Sequence, residues 1–242
     1  KMLLRLQNTT QATEQEMLEY FLRHDHVQLL STSEGNFDIN VNILAFTIED
    51  LQGFLDGMNK KYGKYIAERE IMAMVQSHFF FRDYFVEEKK RAHYKRKPIY
   101  FGSTPAPAKI DETDKKILGE LSSDARLPTL EMARRINLSA DAVALRIKKL
   151  ERSGLIQNYM LVPALEKTGF FWYYILVKFA PAPAFEGFFS FCESHPNIWY
   201  FGRLMGRWDA IAGMDVRSPE EFKEILMTIK RDFSDSIREY TI

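Results

Sequence analysis

Two stretches of this 242-residue chain carry one turn signature, GNFDINVNI at 35–43 and GRWDAIAGM at 206–214. Each sets a glycine, a variable residue, an aromatic and an aspartate ahead of an apolar run. Sliding the chain on itself by 171 positions (206 − 35) puts His24 on His195, Phe37 on Trp208, Asp38 on Asp209, Leu55 on Leu226 and Glu68 on Glu239, with no gap. Apolar residues meet apolar residues over about 48 positions, which marks a duplicated domain. Whatever folds one copy must fold the other.

Each copy parses into the same six elements. The first reads MLLRLQN strand, TEQEMLEYFLRH helix, VQLLSTS strand, FDINVNILAF strand, TIEDLQGFLDGMNKKYG helix and IAEREIMAMVQ strand. The second reads WYYILVKFA, AFEGFFSFCESH, IWYFGRLM, WDAIAGMDV, PEEFKEILMTIKRDF and IREYTI in the same order. The order βαββαβ predicts a ferredoxin-like α+β domain, an antiparallel four-stranded sheet with both helices on one face. The Gly-x-aromatic-Asp unit then falls at the central hairpin, where glycine supplies positive φ and aspartate bonds nearby backbone N–H groups. A structural turn and a ligand site at Gly35, Asp38, Gly206, Trp208 and Asp209 are both open readings of it. Aromatics such as Trp172, Tyr174, Trp199 and Tyr200 load the sheet's other face, which calls for sheet-against-sheet pairing between copies or between chains.

Composition excludes several classes. No run of about 18 uncharged apolar residues occurs and the opening KMLLRLQN lacks a secretory core, so a membrane span is not expected and a cytoplasmic setting is. The single cysteine, Cys192, rules out an intrachain disulfide framework and reads as a core residue. Net charge is zero, but residues 1–87 carry 8 Lys+Arg against 13 Asp+Glu, residues 88–160 carry 16 against 9, and residues 161–242 carry 9 against 11. A basic middle between acidic flanks fits a nucleic-acid-binding module between non-binding ones, and equally a solvated charged face.

The middle has a strict spacing. In IDETDKKIL, Asp111 is placed to cap a helix with Asp114 as its capping-box partner, and Ile117, Leu118 and Leu121 form an apolar stripe. TLEMARRI is a second helix, Asn137 takes the tight-turn position, Leu138 is expected to plug the core and Ser139 to cap a third helix. In that helix Val143, Ile147 and Leu150 face inward, Asp141, Leu145, Lys148, Lys149 and Arg152 face outward, and Gly154 ends it. Arg146, at the edge of the inward stripe, reads as structural pairing of the kind Glu151 offers.

IDETDKKIL, LEMARRINLS and VALRIKKLERSGLI together resemble the helix-turn-helix domain of the Lrp/AsnC (feast/famine) transcription regulators. The βαββαβ copy that follows is similar to that family's ligand-sensing domain, and GRWD at 206–209 matches its turn. The resemblance implies a winged helix-turn-helix between two ferredoxin-like domains, a sequence-specific regulator that binds double-stranded DNA, homo-oligomerises and senses a small molecule such as an amino acid. The organisation expected is residues 1–87 as first sensor, 88–109 as basic linker, 110–165 as helix-turn-helix and 166–242 as second sensor.

A recognition helix sets its N-terminal half against base edges, so Ser139, Ala140, Asp141, Ala144 and Leu145 are expected deepest in the major groove. Asp141 suits a cytosine amine, Ala144 and Leu145 suit thymine methyls, and Lys148, Lys149 and Arg152 suit phosphates. The linker KKRAHYKRK at 89–97, with six Lys or Arg in nine residues, either tracks the DNA backbone or merely solubilises. His93 within it has no second ligand at metal-binding spacing, and no metal site, cofactor or catalytic constellation is expected.

On the gapless alignment Lys1 corresponds to Trp172 and Ile242 to Ile71. That leads to the expectation of a fragment of a protein built as two helix-turn-helix and sensor pairs, with an incomplete last strand. Siroheme decarboxylases resemble the same arrangement, which keeps an enzyme as the alternative, although His195 and Arg203 alone make a poor match to their histidine and arginine cluster. A sensing module without DNA binding is the third reading.

Overall fold

The computed structural model describes residues 1–82, 84, 98–101, 109–160, 162–164, 167–180 and 185–242. The expected basic linker with His93 lies outside them. The chain divides into two compact units, one of residues 1–100 with 165–242 and the other of 101–164.

In the first unit both copies form the expected fold. The first runs β1 (Met2–Leu6), α1 (Gln11–Leu22), β2 (Val27–Thr32), β3 (Ile39–Ile43), α2 (Ile48–Tyr62) and β4 (Ile66–Ile71), with sheet order β2-β3-β1-β4. Thr10 and Thr47 cap the helices through their hydroxyls, and Thr47 does so in a full capping box with Asp50. Alternate residues Met2, Leu4, Ile39 and Val41 turn toward the helices, where they pack on Met17, Phe21, Phe54 and Met58.

The chain then departs from expectation. The single strand read in IAEREIMAMVQ breaks at Met72, and Ala73–Phe79 forms β5, which joins the other copy's sheet. Ile99–Phe101, read as part of the linker, forms β6 beyond it.

Three helices of the second unit follow: α3 (Glu112–Ser123), α4 (Thr129–Ile136) and α5 (Ala140–Arg152). The second copy returns to the first unit as β7 (Phe171–Phe179), α6 (Phe185–Ser194), β8 (Ile198–Met205), β9 (Ala210–Val216), α7 (Pro219–Asp232) and β10 (Ile237–Thr241). Its sheet order is β10-β7-β9-β8-β5-β6. Ile175, Val177, Phe188, Phe201, Met214, Phe222 and Ile229 form its helix-side core. Cys192 is buried there as expected, and burial pushes its thiol pKa up.

Register corrects the gapless alignment. Leu4 pairs with Ile39 and Val177 with Ala210, so Leu4 matches Val177 at an offset of 173 (177 − 4), while the later strands keep 171. The first strand is therefore shifted by two residues, and Lys1 corresponds to Tyr174 rather than Trp172. The difference is taken up in the connection to the first helix.

The loaded sheet faces cover each other. Leu3, Phe37 and Met72 of the first copy form one core with Leu176, Trp199, Tyr200, Leu204, Trp208 and Ile211 of the second. The second copy's turn locks onto the first copy's last strand: the Trp208 indole N–H donates to Glu70 Oε2 at 2.6 Å, and Arg207 donates to Glu70 Oε1 at 2.6 Å. Gly206 holds φ at +148°, and a Cβ there would lie 3.3 Å from the Ile71 carbonyl oxygen, so both backbone conformation and proximity demand glycine.

Replacing Glu70 by alanine strands a buried indole N–H, and is expected to lower this unit's stability by about 1–3 kcal/mol in denaturant unfolding. Glu70→Gln, which keeps an acceptor, is expected to recover most of the loss.

Candidate functional site

The second unit assembles from the local signals its sequence carries. Asp111 accepts from the Asp114 N–H at 2.8 Å and Asp114 returns the bond to Asp111 N–H, closing the expected capping box. Pro128 precedes α4, and Asn137 ends it in the left-handed region at φ 59°. Ser139 Oγ then accepts from Ala142 N–H at 3.2 Å to start α5. Ile117, Leu127, Met132, Ala133, Val143 and Leu150 close the core. Leu138 does not plug it as expected: following the left-handed turn at Asn137 it is 37% exposed and stands outside the core that holds Leu127. Gly154 ends α5 at φ 73°, and residues 154–160 form no strand.

Two arginines of this unit tie its helices together. Arg135 on α4 pairs with Glu120 of α3 at 2.8 Å and with Glu131 at 2.5 Å. Arg146 on α5 pairs with Asp111 and Asp114, both at 2.7 Å, and Asp114 is fully buried. Glu151, the expected kind of partner for Arg146, instead accepts from the Tyr159 hydroxyl at 2.9 Å. These arginines bolt one helix to the next. Lys148, Lys149, Arg152 and Arg134 are exposed, as Arg135 is, but have no ion-pair partner among the described residues.

The outward face of α5 is Asp141, Leu145, Lys148, Lys149 and Arg152, with Leu145 70% exposed. Positions 141, 145, 148 and 152 are three or four apart, so they share one stripe of the helix. Ser139 is exposed at the cap. Ala140 and Ala144 are half-buried, and Ala140 packs on the core. Of the eight residues expected at the groove, the structure exposes six and leaves the two alanines half-buried. Arg134 was not among them; its only sequence signal is the basic last turn of α4.

The duplicated turns form a second site within the first unit. Asp38 and Asp209 serve the backbone: each carboxylate accepts an N–H of its own copy's first strand, from Leu6 at 2.7 Å and Phe179 at 2.8 Å. A Cβ on Gly35 would crowd the Ile242 carbonyl oxygen, and one on Gly206 would crowd Met72 and the Ile71 carbonyl oxygen. A cavity of about 260 Å³ opens beside them, lined by Arg5, Asn36, Glu68, Glu70, Arg207, Trp208 and Glu239. Of the five effector residues expected, only Trp208 lines it. Residues missed earlier supply its charge, and Arg207 joins Glu70 to Glu239 at 2.6 and 3.0 Å. Their signal was the matching acidic position in IAEREI and IREYT, Glu68 on Glu239.

With this geometry in place, comparison with known proteins is direct. Residues 110–151 match the AsnC-type helix-turn-helix domain. LrpC, an HTH-type transcriptional regulator of Bacillus subtilis, is 34% identical over 98 residues, covering 40% of this chain and 68% of that protein. The chain belongs to the Lrp/AsnC family. Its fold also matches solved structures. A transcriptional regulator of Neisseria meningitidis, solved in complex with L-Met, aligns at TM-score 0.50 and 23% identity over 55% of this chain and 86% of its own. The siroheme decarboxylase NirDL aligns at TM-score 0.63 and 14% identity over 99% of this chain and 69% of its own. Both likenesses are of fold. They place this Lrp/AsnC transcription regulator in an architecture that hosts regulators and enzymes alike. Among the described residues no helix is long and apolar enough to cross a membrane, and no three potential metal ligands cluster.

The capping network sets a pH dependence. Asp111's pKa is lowered, first by the Asp114 backbone N–H and next by Arg146. A lowered carboxylate pKa gives stability that is complete above its ordinary value of about 4 and is lost as pH falls through the lowered one. Arg146→Ala is therefore expected to lower the melting temperature of the helix-turn-helix at pH 7 and to flatten its fall on acidification, read by circular dichroism between pH 7 and 2.

Proposed function

We propose that this chain is a sequence-specific DNA-binding regulator that docks α5 into the major groove of duplex DNA. The observation that carries the reading is the division of arginines and lysines between the helices: Arg135 and Arg146 are ion-paired to carboxylates of the same unit, while Lys148, Lys149 and Arg152 stand exposed on the outward face of α5 without an ion-pair partner among the described residues. Such a stripe on the helix expected at the groove suits a phosphate row. Toward the N-terminal end of the helix, Ser139, Asp141 and Leu145 meet base edges. Leu145 offers a methyl-contacting surface for thymine and Asp141 an acceptor for a cytosine amine. Ala140 and Ala144 contribute backbone closeness rather than side-chain readout.

Fluorescence anisotropy with duplex DNA at 50 and 200 mM salt, chosen as roughly the range over which phosphate contacts dominate, tests this. Each of Lys148→Ala, Lys149→Ala and Arg152→Ala is expected to reduce the log–log salt slope by about 0.9. Leu145→Ala is expected to relax sequence preference and leave the slope unchanged. Equal slopes for the wild type and the triple variant would refute the interface.

The duplicated α+β domains act in this proposal as the effector-sensing and homo-oligomerising part. The 260 Å³ cavity at the turns is lined by the ion pairs Arg5–Glu68 and Arg207–Glu70–Glu239, groups of both signs that the ammonium and carboxylate of an amino acid would engage by exchanging partners. The complex of the Neisseria meningitidis regulator with L-Met supports that class of ligand. Calorimetry with free amino acids is expected to give saturable heat that Arg207→Ala abolishes.

Catalysis is not part of the proposal. His195 Nδ1 accepts from the Asn197 N–H at 3.2 Å, and Arg203 lies 4.5 Å over the Phe185 ring, so each serves a local structural contact. Titration with siroheme is expected to leave its absorbance spectrum unchanged, and a saturable shift would favour the decarboxylase reading.

A further inference from the structure

Docked as proposed, α5 meets base edges with its first two turns, and those turns lack the side chains that read purines. Between Ser139 and Leu145 stand Ala140, Asp141, Ala142, Val143 and Ala144. Guanine is commonly met by Arg or Lys and adenine by Asn or Gln, and none of these occurs there. The next long polar side chain, Arg146, is held by Asp111 and Asp114, both at 2.7 Å. Val143 is buried and the three alanines are half-buried. Ser139 uses its hydroxyl oxygen as the cap, accepting from Ala142 N–H at 3.2 Å. Two exposed side chains remain for the bases, Asp141 and Leu145.

These two set an acceptor beside an apolar surface. They are four positions apart and so are neighbours on one face. A helical side chain lies over the turn before its own Cα, which brings Leu145 toward Asp141 and onto the same base rather than the next. Leu145 is 70% exposed, and the Asp141 carboxylate has no hydrogen-bond or ion-pair partner among the described residues. In the free chain the positive end of the helix favours that charge. Against DNA it is repelled by phosphates and by base edges made only of acceptors, which excludes guanine and thymine from its position. Adenine sets its amine beside N7, an acceptor that a carboxylate leaves unpaired. Cytosine presents an amine with no acceptor beside it on the same base.

On the basis of that docking we infer that Asp141 and Leu145 together read a cytosine methylated at C5. Its N4 amine and its methyl group stand on neighbouring ring carbons, so an acceptor and an apolar surface side by side meet an amine and a methyl side by side. Thymine carries the methyl next to a carbonyl oxygen that repels Asp141, and unmodified cytosine sets Leu145 against a bare C5 edge. Asp141 selects the base, Leu145 its methyl group, and methylation strengthens binding.

The test adds the 242-residue chain to random-sequence duplex pools and reads fluorescence anisotropy at about 50 mM salt. One pool is ordinary, one has 5-methylcytosine for every cytosine, and one has in addition uracil for every thymine. The methylcytosine pool is expected to bind about fourfold more tightly than the ordinary one, the worth of one buried methyl group. The doubly substituted pool is expected to match it, because the methyl that Leu145 meets is on cytosine. Leu145→Ala is expected to bind all three pools alike with its salt slope intact. Asp141→Asn, which suits adenine, is expected to lose the methyl preference as well. Both replace exposed side chains, so the wild-type circular dichroism is expected to persist.

Equal binding of the ordinary and methylcytosine pools, with the salt slope of the wild type intact, would overturn this inference and leave the DNA interface standing. A doubly substituted pool that binds no better than the ordinary one would assign the methyl contact to thymine. A methyl preference that survives Leu145→Ala would place the contact elsewhere. Loss of salt-dependent binding to every pool would overturn the interface and the inference together.

Discussion

The two sheets of the first unit must hide their aromatic faces, and each does so against the other. Trp208, buried to 1% exposure, illustrates the constraint: its ring enters a core shared by both copies, and its N–H needs an acceptor inside that core. Glu70, on the first copy's last strand, meets that need and binds Arg207 as well. Burying such side chains is worth about 1.5–3 kcal/mol each, but only if the polar groups carried inward are paired. At the margins of these faces the turns and last strands leave charged side chains around open space.

The helix-turn-helix solves a different problem with similar means. Three short helices have a small core, and Arg135 and Arg146 supplement it by tying each helix to its neighbour through carboxylates. Asp114 does double duty, capping α3 and receiving Arg146 while fully buried. With those arginines committed, the exposed cations of α5 remain available to an external anion. The proposed DNA interface rests on this allocation rather than on the number of basic residues.

Several features of both units were legible in the chain itself. The βαββαβ order follows from period-2 and period-3.6 patterning, which each segment carries within itself. The capping box at Asp111, the left-handed Asn137 and the cap at Ser139 are contacts within about four residues, so spacing alone reveals them. Leu138 and Arg146 were misjudged because their surroundings depend on the assembled unit: the core closes around Leu127 without Leu138, and Asp111 and Asp114 receive Arg146 from 35 and 32 positions away. The turn cavity was half legible. The turns were found by repetition, but the Glu68, Glu70 and Glu239 that charge it arrive from strands of both copies.

By itself the sequence determined that a domain is duplicated around a three-helix reader, because periodicity, capping and repetition are properties of neighbouring residues and of the chain compared with itself. Only the tertiary structure decided that IAEREIMAMVQ breaks at Met72 to serve two sheets and that the first strand is shifted by two residues. Those outcomes depend on which strand edge and which apolar face lie within a few ångströms of one another, and local patterning carries no term for that distance.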